Sequence, residues 1–286
     1  DAERLRKIEP HVSGIKALYS PRTGIIDFTK VAQAYARKLR ALGGTIRTST
    51  ALLNTSETPG GVILQTSSGD IQSKYWINCG GLYTDRLAQM ATEKQAPLNL
   101  NETPTRIIPF RGEYYRLAPE SRDLIHGLIY PVPDSTLPFL GVHFTPTMAG
   151  EVEVGPNAVL AFAREGYQLM DFNLRELWQT LSFRGFWAMA RIHWKAGLEE
   201  YYRSLSKRAF VRALQQLVPE VQLGHLISSG RGVRAQAVSA TGQLLDDFVI
   251  SSGSRAIHVI NAPSPGATAS LAIGSRICEI ASKVFS

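Results

Sequence analysis

Cysteine is scarce in this sequence, which has only Cys79 and Cys278 among 286 residues. Two cysteines exclude a disulfide framework and a cysteine-based zinc cluster, and they suit a reducing compartment. Charge, glycine or proline interrupts every apolar stretch before it reaches the ~18 residues of a membrane-spanning helix. The polar opening residues show no signal peptide. The sequence therefore predicts a cytoplasmic protein, and no metal site is expected.

Positive charge exceeds negative charge, since 31 Lys and Arg against 24 Asp and Glu give a net charge of +7. This excess favours an anionic partner, such as a small anionic molecule, an acidic membrane surface or nucleic acid. Nucleic acid is the weakest of the three, because no helix-turn-helix, zinc-finger or aromatic RNA-binding signature accompanies the charge. The length of the chain suggests about two domains.

The first part of the sequence has the pattern of a nucleotide-type α/β domain. After a connecting segment, residues 1–26, apolar side chains recur at helical spacing from Asp27 until a Gly-Gly pair ends the helix. Three strands are predicted to follow, over residues 45–53, 61–67 and 74–80. The last strand leads into Gly80 and Gly81 and then into another helix. Residues 27–100 are assigned to part of a nucleotide-type domain on this pattern.

The pattern changes over residues 101–220. Four strands are predicted there without helices between them, over residues 106–117, 124–132, 139–145 and 152–155. Such a meander forms an antiparallel sheet with one face available for a ligand, and helices fill residues 171–217. An α/β pattern returns over residues 221–286 and ends in a strand, a tight turn and a helix at 270–284. The predicted fold class is therefore α/β (α+β), with an antiparallel-sheet substrate domain.

The final strand–turn–helix offers a site for negative charge. Its turn places the backbone N–H groups of Gly266, Ala267 and Thr268 at a helix N-terminus, where free donors and the helix macrodipole attract anions. An ordinary crossover turn explains the same pattern equally well.

Two arginines stand inside apolar strands, Arg111 in IIPFRGEYYRL and Arg234 in GVRAQAV. A guanidinium among apolar neighbours needs an anionic partner, and its planar fork suits carboxylates. With Tyr114, Tyr115 and His143, the two arginines predict a dicarboxylate pocket. The alternatives are an internal salt bridge for either arginine and a core position for His143.

Six strings of sequence follow one another from about residue 9 to the end: ALYSPRTGIIDF, IIPFRGEYYRL, LIYPVPD…PFLGVHFT, VGPNAVLAFAREGY, GVRAQAV…G-x-L-x-DDF and HVINAPSPGATASLAIG. In this order and spacing they resemble the L-2-hydroxyglutarate oxidase/dehydrogenase family of D-amino-acid-oxidase-like flavoproteins. The resemblance implies a non-covalent FAD enzyme that oxidises L-2-hydroxyglutarate to 2-oxoglutarate. It also implies oxygen or a quinone-linked chain as electron acceptor, and a peripheral position on the bacterial inner or mitochondrial membrane.

The resemblance implies roles for the residues of the substrate sheet. Arg234 matches the position at which related flavin oxidases hold the substrate α-carboxylate. Arg111 is expected to bind the distal carboxylate, with Tyr115 beside it, and His143 is the candidate catalytic base. A base in a segment upstream of this sequence is the alternative.

The resemblance also implies two groups of cofactor-binding residues. One group lies near the adenine–ribose side of FAD and consists of Cys79, Gly80 and Gly81. The other lies beside the flavin pyrimidine ring, where a helix N-terminus stabilises negative charge, and consists of Pro265, Gly266, Ala267 and Thr268. Arg234 and the second group are expected to converge on the flavin.

The sequence departs from the family at its beginning. The 26 residues before the first predicted amphipathic helix contain none of the G-x-G-x-x-G glycines that hold the FAD pyrophosphate. The sequence is therefore expected to be the C-terminal two thirds of the enzyme and inactive by itself. Two alternatives remain: another flavin oxidase of this fold acting on an amino acid or glycerol 3-phosphate, and a catalytically silent fragment.

Overall fold

The computed structural model describes residues 1–92, 104–132, 141–262 and 265–285. The chain divides into two compact units, each assembled from three separate stretches. Unit 1 consists of Asp1–Asp27, Pro109–Leu177 and Ala190–Arg234, and unit 2 of Phe28–Ile108, Trp178–Met189 and Ala235–Ser286.

Helices and strands occur in groups along the described residues. The α-helices are α1 (Ala2–Ile8), α2 (Phe28–Ala41), α3 (Thr84–Thr92), α4 (Leu174–Leu181), α5 (Arg184–Leu205), α6 (Lys207–Gln215) and α7 (Ser270–Val284). The strands are β1 (Leu52–Thr58), β2 (Gly61–Thr66), β3 (Gly69–Ser73), β4 (Trp76–Asn78), β5 (Thr105–Leu117), β6 (His143–Pro146), β7 (Val152–Gly155), β8 (Val159–Leu160), β9 (Leu226–Ser239), β10 (Val249–Ser252) and β11 (Ala256–Asn261).

Unit 1 is built on an antiparallel sheet in the order β6-β7-β5-β8, with β9 also pairing with β5. Val154 lies opposite Tyr115 on one side and opposite Phe144 on the other. Because directly opposed residues share a face of the sheet, these three side chains point to the same side. Phe210 and Leu214 of α6 join Phe144 and Val154 in the buried apolar core there. This side is called the core face below, and the opposite side the outer face.

Unit 2 contains two smaller sheets. Strands β1, β2 and β3 form an antiparallel meander, whereas the second sheet has the order β10-β11-β4 with β11 and β4 parallel. Every residue of β11 is buried, as expected for a strand whose two faces are both covered. Helix α3 packs on β11.

Several predicted elements are confirmed. The helix predicted at 270–284 is α7, and the strand predicted at 152–155 is β7. Strands β2 and β5 match their predictions to within one residue at each end. These segments share a strong local pattern, either alternating or continuous apolar residues bounded by turn residues.

Other predictions were wrong. The strand predicted at 45–53 begins only at Leu52. Residues Gly69–Ser73, for which no strand was predicted, form β3, and its Ile71 pairs with Leu64 of β2. The strand predicted at 124–132 contributes only the bridge of Ile129 with Phe144. Ile125 and Ile129 of this segment lie in the core of unit 1 without extended pairing, so apolar composition alone was misleading there.

The predicted domain boundaries stay a prediction. The chain passes from one compact unit to the other at residues 27/28, 108/109 and 234/235, and residues 178–189 belong to unit 2. Predicted segments at 93–103, 133–140 and 263–264 lie outside the described residues. Helix α2 has the predicted position but contains no buried residue within the described structure, although its apolar pattern predicted a buried face.

Candidate functional site

The predicted substrate residues are divided between the two faces of the unit 1 sheet. Successive side chains of a strand point to opposite faces, so on β5 Arg111 and Tyr115 share the core face while Tyr114 points to the outer face. The ring of Tyr115 lies 4.8 Å from the ring of Phe210, centroid to centroid. Tyr115 therefore packs into the core and not toward the outer face.

Arg111 has an internal anionic partner. Its side chain is 1% exposed, and Nη2 lies 3.3 Å from Oε1 of Glu113. Nη1 donates a hydrogen bond to the carbonyl oxygen of Gln168 at 2.9 Å. Nε and Nη2 find no hydrogen-bond acceptor among the described residues, so the contact with Glu113 is an ion pair without hydrogen-bond geometry. This arrangement is the internal salt bridge named as the alternative to a substrate contact.

Glu113 connects the charged residues of the core face. Its Oε2 accepts hydrogen bonds from Ser204 Oγ at 2.7 Å and from Asn157 Nδ2 at 3.2 Å. Nε of Arg231, on β9, lies 4.0 Å from Oε1. The result is one buried carboxylate shared by two guanidinium groups and two neutral donors.

The outer face brings together Tyr114, His143 and Arg234. On β7, Gly155 is the cross-strand partner of His143 of β6. The preceding residue, Val154, pairs with Tyr115 of β5, so Gly155 lies opposite Tyr114. Gly155 therefore lies between Tyr114 and His143. Arg234 interacts electrostatically with Tyr114. On β9, Arg231 faces the core side and Arg234 the outer side, as strand alternation requires.

The electrostatics of the outer face follow from partial burial. Burial raises the pKa of Tyr114, and the Glu153 carboxylate raises it further, while Arg234 opposes both. Loss of solvation lowers the pKa of Arg234, and Tyr114 partly offsets this. Burial also lowers the pKa of His143. The face thus presents a cation, a neutral imidazole and a protonated phenol at neutral pH.

Unit 2 contains a cavity of about 310 Å³, which is at the lower end of the size range of small-molecule sites. Its mainly apolar lining consists of Cys79, Gly81, Ala235, Val259, Ile260, Asn261, Ala262, Gly266, Ser270, Ile273, Gly274 and Ile277. A Cβ atom built on Gly81 or Gly274 would meet no atom within 4 Å. The bare backbone of these glycines therefore leaves space for a flat ring to approach. Apolar walls and exposed backbone suit part of an FAD molecule.

A buried hydrogen-bond network fixes the turn after β4 beside this cavity. Asn78 accepts a hydrogen bond from the N–H of Gly80 at 2.9 Å, and its Nδ2 donates to the carbonyl of Thr84 at 2.9 Å and to Nδ1 of His258 at 3.2 Å. The Thr84 hydroxyl donates to the carbonyl of Val259 on β11 at 2.8 Å. The position of Gly81 therefore depends on Asn78 and β11.

The second predicted cofactor group forms the turn before α7. The N–H of Ala269 donates to the carbonyl of Pro265 at 3.0 Å, and that of Ser270 donates to Ala267 at 3.3 Å. Gly266 lines the cavity, whereas Pro265, Ala267 and Thr268 are exposed parts of the same turn.

The structure thus brings Cys79, Gly81 and Gly266 to one cavity, with Gly80 in its supporting network. It brings Arg234 and His143 to one face, but it places Arg111 and Tyr115 on the other. The convergence of Arg234 with residues 266–268 stays a prediction, as do all the roles assigned to these residues.

Sequence reasoning missed Glu113, Asn78 and Tyr130. The spacing of Arg111 and Glu113, two residues apart on a strand, was a signal for an ion pair on one face. Tyr130 carries no comparable local signal, because its ring stacks on His143 of another strand. For Asn78 the contact that sequence could not show is the one with His258, which is 180 residues away.

Comparison with known proteins defines the class. The family model described as DAO, FAD dependent oxidoreductase, matches residues 1–280, so the chain belongs to the family of FAD-dependent oxidoreductases. This membership confirms the predicted enzyme class, the D-amino-acid-oxidase-type fold and FAD as the cofactor of the family.

Individual relatives carry narrower names than the family as a whole. The L-2-hydroxyglutarate dehydrogenase of Indibacter alkaliphilus is 48% identical over 283 residues, which are 99% of this chain and 69% of that protein. The mitochondrial L-2-hydroxyglutarate dehydrogenase of Nematostella vectensis is 44% identical over 304 residues, covering 100% of this chain and 65% of that protein. The predicted resemblance is therefore confirmed, and the chain spans about two thirds of the length of these relatives.

A solved structure supports the fold. The dithionite-reduced L-alpha-glycerophosphate oxidase of Mycoplasma pneumoniae, with FAD bound, has a TM-score of 0.64 over 95% of this chain and 60% of that chain. At 20% sequence identity, this likeness concerns the fold alone.

Proposed function

We propose that the whole protein uses FAD to oxidise L-2-hydroxyglutarate to 2-oxoglutarate. The observation that carries the proposal is 48% identity, over nearly the whole chain, to a protein named L-2-hydroxyglutarate dehydrogenase. A cationic Arg234 and a neutral His143 on one sheet face suit an anionic 2-hydroxy acid. The more general role, that of a flavin oxidoreductase with a substrate and an electron acceptor, follows from membership of the family.

Each residue of the outer face has a separate role in the oxidation of an alcohol. Arg234 binds the α-carboxylate through its planar pair of donors, which orients the carbon that carries the hydroxyl group. His143 accepts the hydroxyl proton, a role that requires an unprotonated ring. Tyr114, whose raised pKa keeps its phenol protonated, is a hydrogen-bond donor beside Arg234. FAD, when bound, supplies the acceptor for the hydride.

Two groups of residues in unit 2 would hold FAD. Cys79, Gly80 and Gly81 form the adenine–ribose side, where the Asn78 network keeps the backbone in place. The turn from Pro265 to Thr268 forms the pyrimidine side, where the N-terminus of α7 favours negative charge. Arg111 and Tyr115 act through the stability of the sheet rather than by contact with substrate.

A comparison of two arginines on one strand tests the proposal. In the whole protein, Arg234→Ala should raise KM for L-2-hydroxyglutarate by about 100-fold, because a charge-assisted pair of ~3 kcal/mol is lost. Arg231→Ala, on the core face of the same strand, is the matched control and should leave KM nearly unchanged. Equal effects of the two variants, or an unchanged KM for Arg234→Ala, would remove Arg234 from the site.

A substrate panel tests the identity of the substrate. Steady-state rates should be highest with L-2-hydroxyglutarate and much lower with lactate and glycerol 3-phosphate, which lack the distal carboxylate, and with L-glutamate, in which an amino group replaces the hydroxyl. Preference for an amino acid or glycerol 3-phosphate would assign the protein to another branch of the family.

We also propose that the protein is peripheral to a membrane and passes electrons to a quinone-linked chain, with oxygen as the alternative acceptor. Among the described residues, no helix has the length and apolar character needed to span a bilayer. Helix α5 supplies a surface through which such association can occur.

The part of α5 in unit 1 has its polar side inward and its apolar side outward. On the inner side, the Glu200 carboxylate accepts a hydrogen bond from the N–H of Ala158, and the Tyr201 hydroxyl donates to the carbonyl of Leu160. The outer side carries a stripe of apolar side chains between 55% and 70% exposed, namely Trp194, Leu198, Tyr202 and Leu205.

Charge beside this stripe indicates the partner. The exposed Arg191 and Lys195 flank Trp194 on α5, and Lys195 lies 5.7 Å from the Trp194 ring. Aromatic side chains beside basic ones are typical of helices that lie in the interface of an anionic bilayer. This surface supports peripheral binding to anionic lipid.

A further inference from the structure

Tyr130 stacks on His143. The centroids of the two rings are 4.3 Å apart, and their planes differ by 19°. The neighbouring Ile129 forms a two-bond bridge with Phe144, with N···O distances of 3.0 and 2.9 Å. The Tyr130 hydroxyl lies 3.3 Å from Oγ1 of Thr145. The backbone bridge and the hydroxyl contact therefore hold Tyr130 along β6, so the stacking is not an isolated surface contact.

A backbone carbonyl determines which nitrogen of His143 carries a proton. Nδ1 lies 3.1 Å from the carbonyl oxygen of Gly141. A carbonyl oxygen can only accept a hydrogen bond, so Nδ1 is the donor. In the neutral ring, Nε2 then carries the lone pair and is the atom able to accept a proton.

The ring of Tyr130 shields one face of the imidazole from water. Burial lowers the pKa of His143 below its ordinary value of 6.5, and the hydrogen bond to Gly141 opposes this. Among the described residues, the other ionisable groups on this face include the phenols of Tyr114 and Tyr130, the carboxylate of Glu153 and the guanidinium groups of Arg234 and Arg116, the last of which pairs with Glu151. Loss of solvation, rather than a neighbouring charge, is therefore the main cause of the lowered pKa of His143.

We propose that Tyr130 is a positioning residue that keeps the His143 ring neutral, with Nδ1 bound to Gly141 and Nε2 free to accept a proton. Tyr130 touches His143 and acts through it. The catalytic consequence rests on the proposed role of His143 as the base, whereas the effect on the imidazole does not.

Proton titration of His143 by NMR tests the proposal directly. Each imidazole of the six histidines gives its own signal, and the one lost in His143→Gln identifies His143. In Tyr130→Ala, the pKa of His143 should rise toward 6.5, because water reaches the exposed ring face. In Tyr130→Phe, which keeps the stacked ring, the pKa should stay at its wild-type value. Tyr130→Leu retains apolar cover and should fall between the two.

The pH profile of the whole enzyme separates this proposal from the proposed function. The acid limb of kcat/KM should move to higher pH in Tyr130→Ala and remain unchanged in Tyr130→Phe. A His143 pKa that does not move in Tyr130→Ala overturns the role of Tyr130. A pKa that moves while the acid limb stays in place supports Tyr130 and instead removes His143 as the base.

Discussion

At the scale of single residues, Glu113 is the anionic partner of the buried Arg111 guanidinium. An arginine in an apolar strand needs an anion, and sequence patterns could not distinguish a substrate carboxylate from an internal one. The structure supplies Glu113 at 3.3 Å, with Ser204 and Asn157 also bound to its carboxylate. Arg111 is thus paired with an anion within unit 1, which favours a structural role over a substrate contact.

Removal of Glu113 should be costly. Glu113→Ala leaves the Arg111 guanidinium buried without its anion, so the free energy of unfolding should fall by about 3–5 kcal/mol. Urea denaturation measures this. The double variant Arg111→Met/Glu113→Leu, which removes both charges, should lose less than Glu113→Ala.

An exposed ion pair supplies the control for that measurement. Glu3→Ala breaks the surface pair with Lys7 and should change the free energy of unfolding by less than about 0.5 kcal/mol. A similarly small loss for Glu113→Ala would show that the buried cluster contributes nothing to stability.

At the scale of secondary structure elements, α5 turns polar side chains toward unit 1 and exposes an apolar stripe. An ordinary surface helix has its apolar side buried and its polar side exposed. The sequence of α5 alternates apolar and polar residues at helical spacing, but the spacing does not say which side faces the sheet. Glu200, Tyr201 and Ser204 bind the strands of unit 1 with their polar atoms. The apolar stripe is therefore left exposed on the other side.

The α5 stripe should determine lipid binding. Trp194→Ser/Leu198→Ser should weaken co-sedimentation with vesicles containing phosphatidylglycerol by at least about tenfold, because two apolar anchors are lost. Lys195→Glu should weaken binding to these vesicles through charge alone.

Leu53→Ser, an equally exposed leucine on β1, should leave vesicle binding unchanged and is the matched control. Self-association that depends on Trp194 and Leu198, without binding to vesicles, would assign the stripe to a second copy of the chain and contradict the membrane proposal.

At the scale of the whole molecule, acid should weaken the folded state through His258. This side chain is 2% exposed, and burial lowers its pKa to about 4. Between pH 6.5 and 4 the unfolded chain takes up a proton at this residue and the folded chain does not. The stabilisation is therefore complete above pH 6.5 and is lost as the pH falls toward 4, by roughly 3 kcal/mol in total.

The pH dependence of unfolding checks this expectation. His258→Gln should reduce the slope of unfolding free energy against pH between 4 and 6.5, whatever its effect at neutral pH. His126→Gln, which replaces an exposed histidine, should retain the wild-type slope. A wild-type slope in His258→Gln would assign the acid sensitivity to other groups.

Local sequence patterns predicted helix α7, strands β2, β5 and β7, and the turn that contains Gly266, whereas a role for Gly81 was implied only by the family resemblance. These features depend on residues a few positions apart, which helical or strand periodicity already relates. The family, too, was identified from short strings in series, and the comparisons confirmed it.

Only the tertiary structure decided which of these residues work together. The placement of Arg111 and His143 on opposite faces follows from strand pairing between segments far apart in the chain. The stacking of Tyr130 on His143 likewise depends on a bridge formed after folding. Periodicity specifies which side chains share a face of one element, but register and packing determine what that face meets.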